Sequence, residues 1–275
     1  MIKISKLIDE DAVQPLSGEW GLSLLIEAYG KRLVFDTGNS DQAVKNARLL
    51  GIDLTKIDGI LLSHGHNDHT AGLLPMLQAA GEQTIYAHPT VWQKRYSQQR
   101  DDEPPREAGI PYAEEEIKNN GGRLEYVNRP VFINSNIFAF GEIPMKSELE
   151  KLQPELLTEH QGDFQLDSFP DEIALAIHSK QGLIVITGCA HRGIINTQRH
   201  ACSISGISRI YAFIGGAHLY QASEARISRT AQKLNDFGVQ KLGLCHCTGR
   251  KAAGLIQTNS EAEIILNGVG QTVRL

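Results

Sequence analysis

Three histidines and one aspartate fall within six positions, His64 to His69, of the stretch Leu61-Leu62-Ser63-His64-Gly65-His66-Asn67-Asp68-His69. Imidazole nitrogens suit zinc and its first-row relatives, and a carboxylate adds a hard oxygen ligand. In an extended loop His64 and His66 project to one side, while Asp68 and His69 turn back from the start of the next helix. One stretch can therefore serve two metals lying close together. Without metal, such a cluster of imidazoles would repel itself when protonated, which makes a mere polar turn the weaker reading.

Three later segments share a context. Thr187-Gly188-Cys189-Ala190-His191-Arg192-Gly193, Gly215-Gly216-Ala217-His218-Leu219 and Cys245-His246-Cys247-Thr248-Gly249 each place a histidine just past an apolar, strand-like run. Strand ends of this kind are where loops converge on ligands in layered α/β folds.

The elements that must position these residues follow from periodicity. Residues 23–28 and 32–35 read as strands joined by a tight turn, 41–50 as a helix with Val44, Ala47 and Leu50 on one side, and 57–62 as a buried strand. A helix is expected from Thr70 and a strand over 84–87. Regularity returns with a hairpin of 173–177 and 183–187, a strand over 209–214, and a helix over 224–237 that Ser223 caps. A strand over 241–245, a helix over 248–257 and a closing pair of strands within 263–275 complete the pattern. Between them, residues 89–170 hold Asp101-Asp102-Glu103-Pro104-Pro105, Glu114-Glu115-Glu116 and Gly121-Gly122. Such polar, Pro- and Gly-broken sequence is expected to be an insertion in a single domain spanning 1–275.

Composition bounds the function. The 275 residues are 41% apolar and 21% charged, with a formal net charge of −5, ordinary for a globular protein and repulsive toward polyanions. A nucleic-acid partner is therefore not expected. No apolar run approaches the ~18 residues of a membrane helix, and the amino-terminal residues lack a signal-peptide pattern, so the expected location is the cytoplasm with no membrane partner. Cys189, Cys202, Cys245 and Cys247 lack C-x-x-C spacing and are expected as reduced thiols. The oligomeric state is not legible.

The run His64, His66, Asp68, His69 matches the H-x-H-x-D-H signature of the metallo-β-lactamase superfamily, and Asp36-Thr37-Gly38 resembles its strand-ending D-T-G. The resemblance implies an α/β fold, the αββα four-layer sandwich, with Asp36 orienting a ligand histidine by hydrogen bonding. The G-C-x-H-x-G and H-C-T-G motifs, with Gly141-Glu142-Ile143-Pro144, are similar to the subgroup that includes the dihydropterin-ribofuranosylaminobenzene phosphate synthase of methanopterin biosynthesis. Carried over residue by residue, His64, His66 and His191 would hold one divalent ion and Asp68, His69 and His246 another. Zinc is the first choice, with manganese or iron as alternatives. Where many superfamily members bridge the metals with Asp, this chain has Cys189, open between ligand and buried thiol. Where the relatives often carry Arg, it has Met145 then Lys146.

Two ions of this kind lower the pKa of a water and neutralise charge on phosphate oxygens. The implied enzyme acts on a small phosphorylated, pterin-like molecule, by transfer with diphosphate release or by phosphoester hydrolysis. His218, behind a Gly-Gly pair, and Asp68 are the catalytic candidates, His218 as general acid or phosphate contact. The helix expected beside His246 offers backbone amides to an anion. A redox or sensing protein of the same fold, an ester or lactone hydrolase, and a nuclease are the alternatives. The first is disfavoured by His66 where oxygen-reducing members place Glu. His88 reads as a structural histidine, and His160, His178 and His200 as solvated.

Overall fold

In this computed structural model, residues 1–100, 102–265 and 268–275 are described. The chain divides into two units, Met1–Tyr126 with Leu152–Asp171 and Gly268–Leu275, and Val127–Lys151 with Glu172–Asn267.

The first unit is built on a seven-stranded sheet in the order Thr272–Arg274, Ile2–Ile8, Ser23–Ala28, Lys31–Phe35, Gly59–Leu61, Gln83–Ala87, Gly122–Tyr126. The pairings are antiparallel as far as Lys31–Phe35 and parallel beyond it. Parallel strands need crossovers, and the helices Gln42–Leu49 and Leu73–Ala80 supply two of them. Their inward faces, Val44, Ala47, Leu73, Met76 and Leu77, join Val34, Ile60 and Ile85 of the sheet in one buried core. A smaller sheet of Asp163–Leu166, Leu156–His160, Arg95–Ser97 and Arg106–Glu107 completes this unit.

The second unit has its own seven-stranded sheet, in the order Glu263–Ile264, Lys241–Leu244, Ile210–Gly215, Gly182–Thr187, Ala174–Ser179, Ile137–Phe140, Val131–Asn134. Every residue of Gly182–Thr187 and Ile210–Gly215 is buried, as parallel strands covered on both faces require. The helices Ile194–Ser205, Glu224–Asp236 and Arg250–Asn259 pack against this sheet through Ile194, Ile195, Ala201, Ile227, Ala231, Leu234, Ala252 and Ile256. The Ser223 side chain accepts the Arg226 N–H, the capping expected from sequence.

Three expectations are corrected. Residues 89–170 are not one insertion: Gly122–Tyr126 belongs to the first sheet, Val131–Asn134 and Ile137–Phe140 to the second, and only the remainder forms the small sheet. In Gly122–Tyr126 the charged residues point outward, with Arg123 and Glu125 exposed. The two strands within 263–275 do not pair with each other; Glu263–Ile264 runs parallel to Lys241–Leu244, and Thr272–Arg274 antiparallel to Ile2–Ile8. Leu266 and Asn267 between them, and Asp101 of the acidic loop, lie outside the described residues. The final α-helix begins at Arg250, not Thr248, because His246–Thr248 forms a separate 3-10 turn and Gly249 sits at φ +76°. Among the described residues no helix is long and apolar enough to cross a membrane.

Candidate metal centre

In the first unit, Phe35 is in register with Leu61 and Leu61 with Tyr86, so three parallel strands end level. The ends release Asp36, Ser63-His64 and His88 at one edge of the sheet. Asp36 is wholly buried at φ +58°, a left-handed conformation that non-glycine residues adopt only when their surroundings enforce it. Its carboxylate accepts the Ser63 N–H, the Ser63 hydroxyl and Nδ1–H of His69, each at 2.7 Å. The Ser63 hydroxyl, its proton spent on Asp36, lies 2.9 Å from Nδ1 of His64 and accepts from it. One carboxylate thus fixes two imidazoles, leaving Nε2 as the lone-pair nitrogen of each.

The four-residue helix Asn67–Thr70 returns Asp68 and His69 to the same place, with an Asp68 carboxylate oxygen 3.8 Å from Nε2 of His69. Nε2 of His64 faces Nδ1 of His66 at 3.0 Å, and the His64 ring centroid lies 4.7 Å from that of His66 and 4.3 Å from that of His69. Phe169 stands edge-on to His66 at 5.5 Å. His88 is turned to structure: its Nδ1 accepts the Thr90 N–H and caps the turn Pro89–Trp92.

The loop bearing His64 and His66 is held from behind. The Gly65 N–H donates to Asp171 at 2.6 Å, and Asp171 is in turn ion-paired to Arg95 at 2.7 Å, with Asp167 on the same guanidinium at 3.0 Å. Arg95 is only 1% exposed and also donates to the carbonyls of Val91 and Gln93. Glycine is required at position 65, since a Cβ would meet the Val91 carbonyl oxygen at 2.3 Å. Burial and the Asp167 charge push the Asp171 carboxyl upward against the pull of Arg95.

In the second unit, Thr187 is in register with Gly215 and Gly215 with Leu244, so again three parallel strands end together. Their loops are stitched by hydrogen bonds from Gly216 N to Gly188 O at 2.8 Å, Ala217 N to the Thr248 hydroxyl at 3.0 Å, and Leu219 N to Cys247 O at 3.2 Å. The packing excludes any side chain at position 216, where a Cβ would lie 2.5 Å from Sγ of Cys247. Ala190, His218 and His246 all take positive φ here. Cys189 is the hub: its Sγ is within 4.8 Å of ligand nitrogens of His191, His218 and His246 and of Sγ of Cys247. Burial works against a thiolate at Cys247, but the hydrogen bond with Cys189 and the neighbouring imidazoles of His218 and His246 hold its pKa well below the usual thiol value. The backbone N–H groups of His191 and Arg192 both donate to the Glu172 carboxylate, at 2.5 and 2.7 Å. The ring centroids of His191 and His218 lie 4.4 Å apart, and neither nitrogen of His218, though buried, makes a hydrogen bond of ordinary geometry. None of the four cysteines forms a disulfide.

Residues 21–190 match the profile of the Metallo-beta-lactamase superfamily. The chain belongs to that superfamily. It is 35% identical over 92% of its length, and 90% of the relative's, to the 7,8-dihydropterin-6-methyl-4-(beta-D-ribofuranosyl)-aminobenzene-5'-phosphate synthase of Methanocaldococcus jannaschii. A solved metal-dependent hydrolase of the beta-lactamase superfamily superposes with a TM-score of 0.86 at 30% identity, covering 100% of this chain and 99% of that one. A diphosphatase from the PhnP family shares the fold at a TM-score of 0.55 and 12% identity, over 100% of this chain and 98% of that one. The protein is accordingly an α/β enzyme of the metallo-beta-lactamase fold, a fold that binds divalent metal.

The residues present suit that metal. Buried imidazoles, a carboxylate and a thiol are the donors that first-row divalent ions select. The two superfamily strand-end clusters hold all the residues expected from sequence: His64, His66, Asp68 and His69 in the first unit, His191, His218 and His246 in the second. Sequence reasoning missed the supports, Ser63, Arg95, Asp167, Asp171 and Glu172. The one available signal was the acidic pair Asp171-Glu172 set against the apolar run that follows it. His178 and His200, expected as solvated, are half-buried; the His178 ring packs on Phe138 and Nε2 of His200 donates to Gly141 O.

Proposed function

We propose that this enzyme holds two divalent transition-metal ions, zinc first, on His64, His66, Asp68, His69, His191 and His246, with Cys189 as a further donor. Its proposed substrate is a small phosphorylated, pterin-like molecule, processed by transfer with diphosphate release. The observation that carries the metal assignment is the Asp36 carboxylate, which orients His69 directly and His64 through Ser63. The substrate class rests on the Methanocaldococcus relative, whose name specifies a phosphorylated dihydropterin compound. A second reading, hydrolysis of a compact phosphoester, is favoured by the solved metal-dependent hydrolase at 30% identity.

When bound, the ions would supply a water of lowered pKa and positive charge against phosphate oxygens. The chain's own groups do the rest. Asp36 and Ser63 fix the ligand rings, and Glu172 fixes the backbone that carries His191. His218, whose ring nitrogens make no hydrogen bond of ordinary geometry and whose neighbour is the Cys247 thiol, is the proposed group that gives or takes a proton at a substrate oxygen. The net charge of −5 favours a compact anion over RNA or DNA.

Elemental analysis of the purified protein, with a screen of phosphomonoesters, phosphodiesters and pterin diphosphates, tests both halves of the reading. His66→Ala and His246→Ala should each lower metal content. Native protein without transition metal, or a double His64→Ala, His69→Ala variant with unchanged metal and activity, would refute the ligand assignment. Ready turnover of a neutral ester or lactone, unaffected by millimolar phosphate and pyrophosphate, would refute the phosphorylated substrate.

A further inference from the structure

Away from these strand ends, the second unit carries a cleft of about 70 Å³ lined by Pro144, Lys146, Asn196, Arg199, His200 and Ser203. On this measure one water takes about 10–15 Å³, so the cleft has room for several waters or an oxyanion. Its chemistry is one-sided. Two permanent cations and an imidazole face it with an amide and a hydroxyl, and no carboxylate lines it. Among the described residues neither Lys146 nor Arg199 forms a salt bridge, although the buried Glu150 carboxylate lies near enough to Arg199 to feel its charge.

The cleft is built, not incidental. Asn196 is 1% exposed, and its side-chain oxygen accepts the backbone N–H groups of Lys146 and Ser147 at 3.0 and 2.8 Å. Its amide nitrogen donates to Arg192 O at 2.8 Å, so the segment bearing Lys146 is clamped to the helix Ile194–Ser205. Asn196, Arg199, His200 and Ser203 stand at i, i+3, i+4 and i+7, one face of that helix. Nε2 of His200 is committed to Gly141 O at 3.1 Å, which fixes the ring. Burial, and then the Lys146 charge, lower the His200 pKa, so the positive potential of Lys146 reaches into the cleft.

We infer that this cleft binds a compact oxyanion, a phosphate or carboxylate group, held by Lys146 and Arg199 with the Ser203 hydroxyl as a neutral donor and the His200 ring at its wall. The group belongs either to the far end of a substrate or to a free ion acting as effector, and both present the same charge and size. The inference does not depend on the metal ligands proposed above.

Inorganic phosphate is the probe, titrated into the metal-loaded protein while the ring nitrogens of His200 are followed by long-range 1H–15N NMR. Phosphate should shift the His200 signals saturably. Lys146→Met with Arg199→Met should weaken that response at least 10-fold without changing metal content, while Lys146→Arg with Arg199→Lys should retain it. A rise in KM for a phosphorylated substrate at constant kcat in the Met variant identifies a substrate contact; loss of a phosphate effect on rate at constant KM identifies an effector. His200 signals indifferent to phosphate in the native protein, or an equal response in the Met variant, overturn the inference. Either result leaves the metal reading standing, since phosphate held by the metals would still be lost in His246→Ala.

Discussion

The Gly65 N–H points into the Asp171 carboxylate at 2.6 Å, although the two residues are 106 positions apart. The bond joins the loop between two candidate ligands to a buried Asp-Arg-Asp cluster, Asp167, Arg95 and Asp171. Paired buried charges add little net stability, but removing one partner strands the others in a low-dielectric interior.

Arg95→Ala should therefore destabilise the protein by about 3–5 kcal/mol, the usual cost of breaking a buried ion pair. Denaturant unfolding checks it. The surviving folded protein should also bind metal more weakly, because Gly65 loses a fixed acceptor. A change under ~1 kcal/mol would mean the cluster is solvated in solution.

Asp36→Asn keeps the shape but replaces a carboxylate that accepts three hydrogen bonds with an amide that cannot accept them all. His69 and His64 lose their fixed tautomers. Metal affinity should fall by ~10- to 100-fold, as for other outer-shell partners of ligand histidines. Competition with a chromophoric chelator measures it, and an unchanged affinity removes Asp36 from the metal's support.

His218→Ala should leave metal content near the native value and lower turnover by ~10²- to 10⁴-fold, the cost of losing a general acid or base. Metal analysis beside steady-state rates separates the cases. Loss of an ion in this variant would make His218 a ligand.

Glu150 gives a pH dependence. It is buried where its carboxylate accepts the N–H groups of Ile195 and Asn196, and burial pushes its pKa up to about 7 from an ordinary 4.5. Between these values the folded chain keeps a proton that the unfolded chain has lost. Stability should thus decline as pH rises from about 4.5 to 7 and level off above, by at most about 3 kcal/mol from this group. Tm of the native protein and of Glu150→Gln, recorded at pH 5 and pH 7.5, should diverge, the variant losing less on the alkaline side. Parallel curves would show that Glu150 ionises normally.

Most of the candidate site is legible because its residues are local in sequence: His64 to His69 lie in one loop and one helical turn, and His191, His218 and His246 each follow an apolar run. Strands covered on both faces, such as Gly182–Thr187, announce themselves for the same reason. What sequence hid depends on distant partners. Arg95 and Asp167 sit in Pro- and Gly-broken sequence that reads as solvent-facing, and only tertiary pairing buries them. Ile2–Ile8 was concealed similarly, because Lys6 interrupts its apolar pattern yet is buried by its ion pair with Asp9.

The sheet of the first unit also sets an order of assembly. Ile4 pairs with Val273, so its outermost ladder joins segments separated by nearly the whole chain. Closing so long a loop is entropically slow, and during synthesis it cannot begin until residues 272–274 have left the ribosome. The strands that carry Cys189, His191, His218 and His246 need no partner beyond Ile264. On this schedule the strands that position the candidate ligands of both units can form before the outermost ladder of the first unit's sheet, which carries none of them.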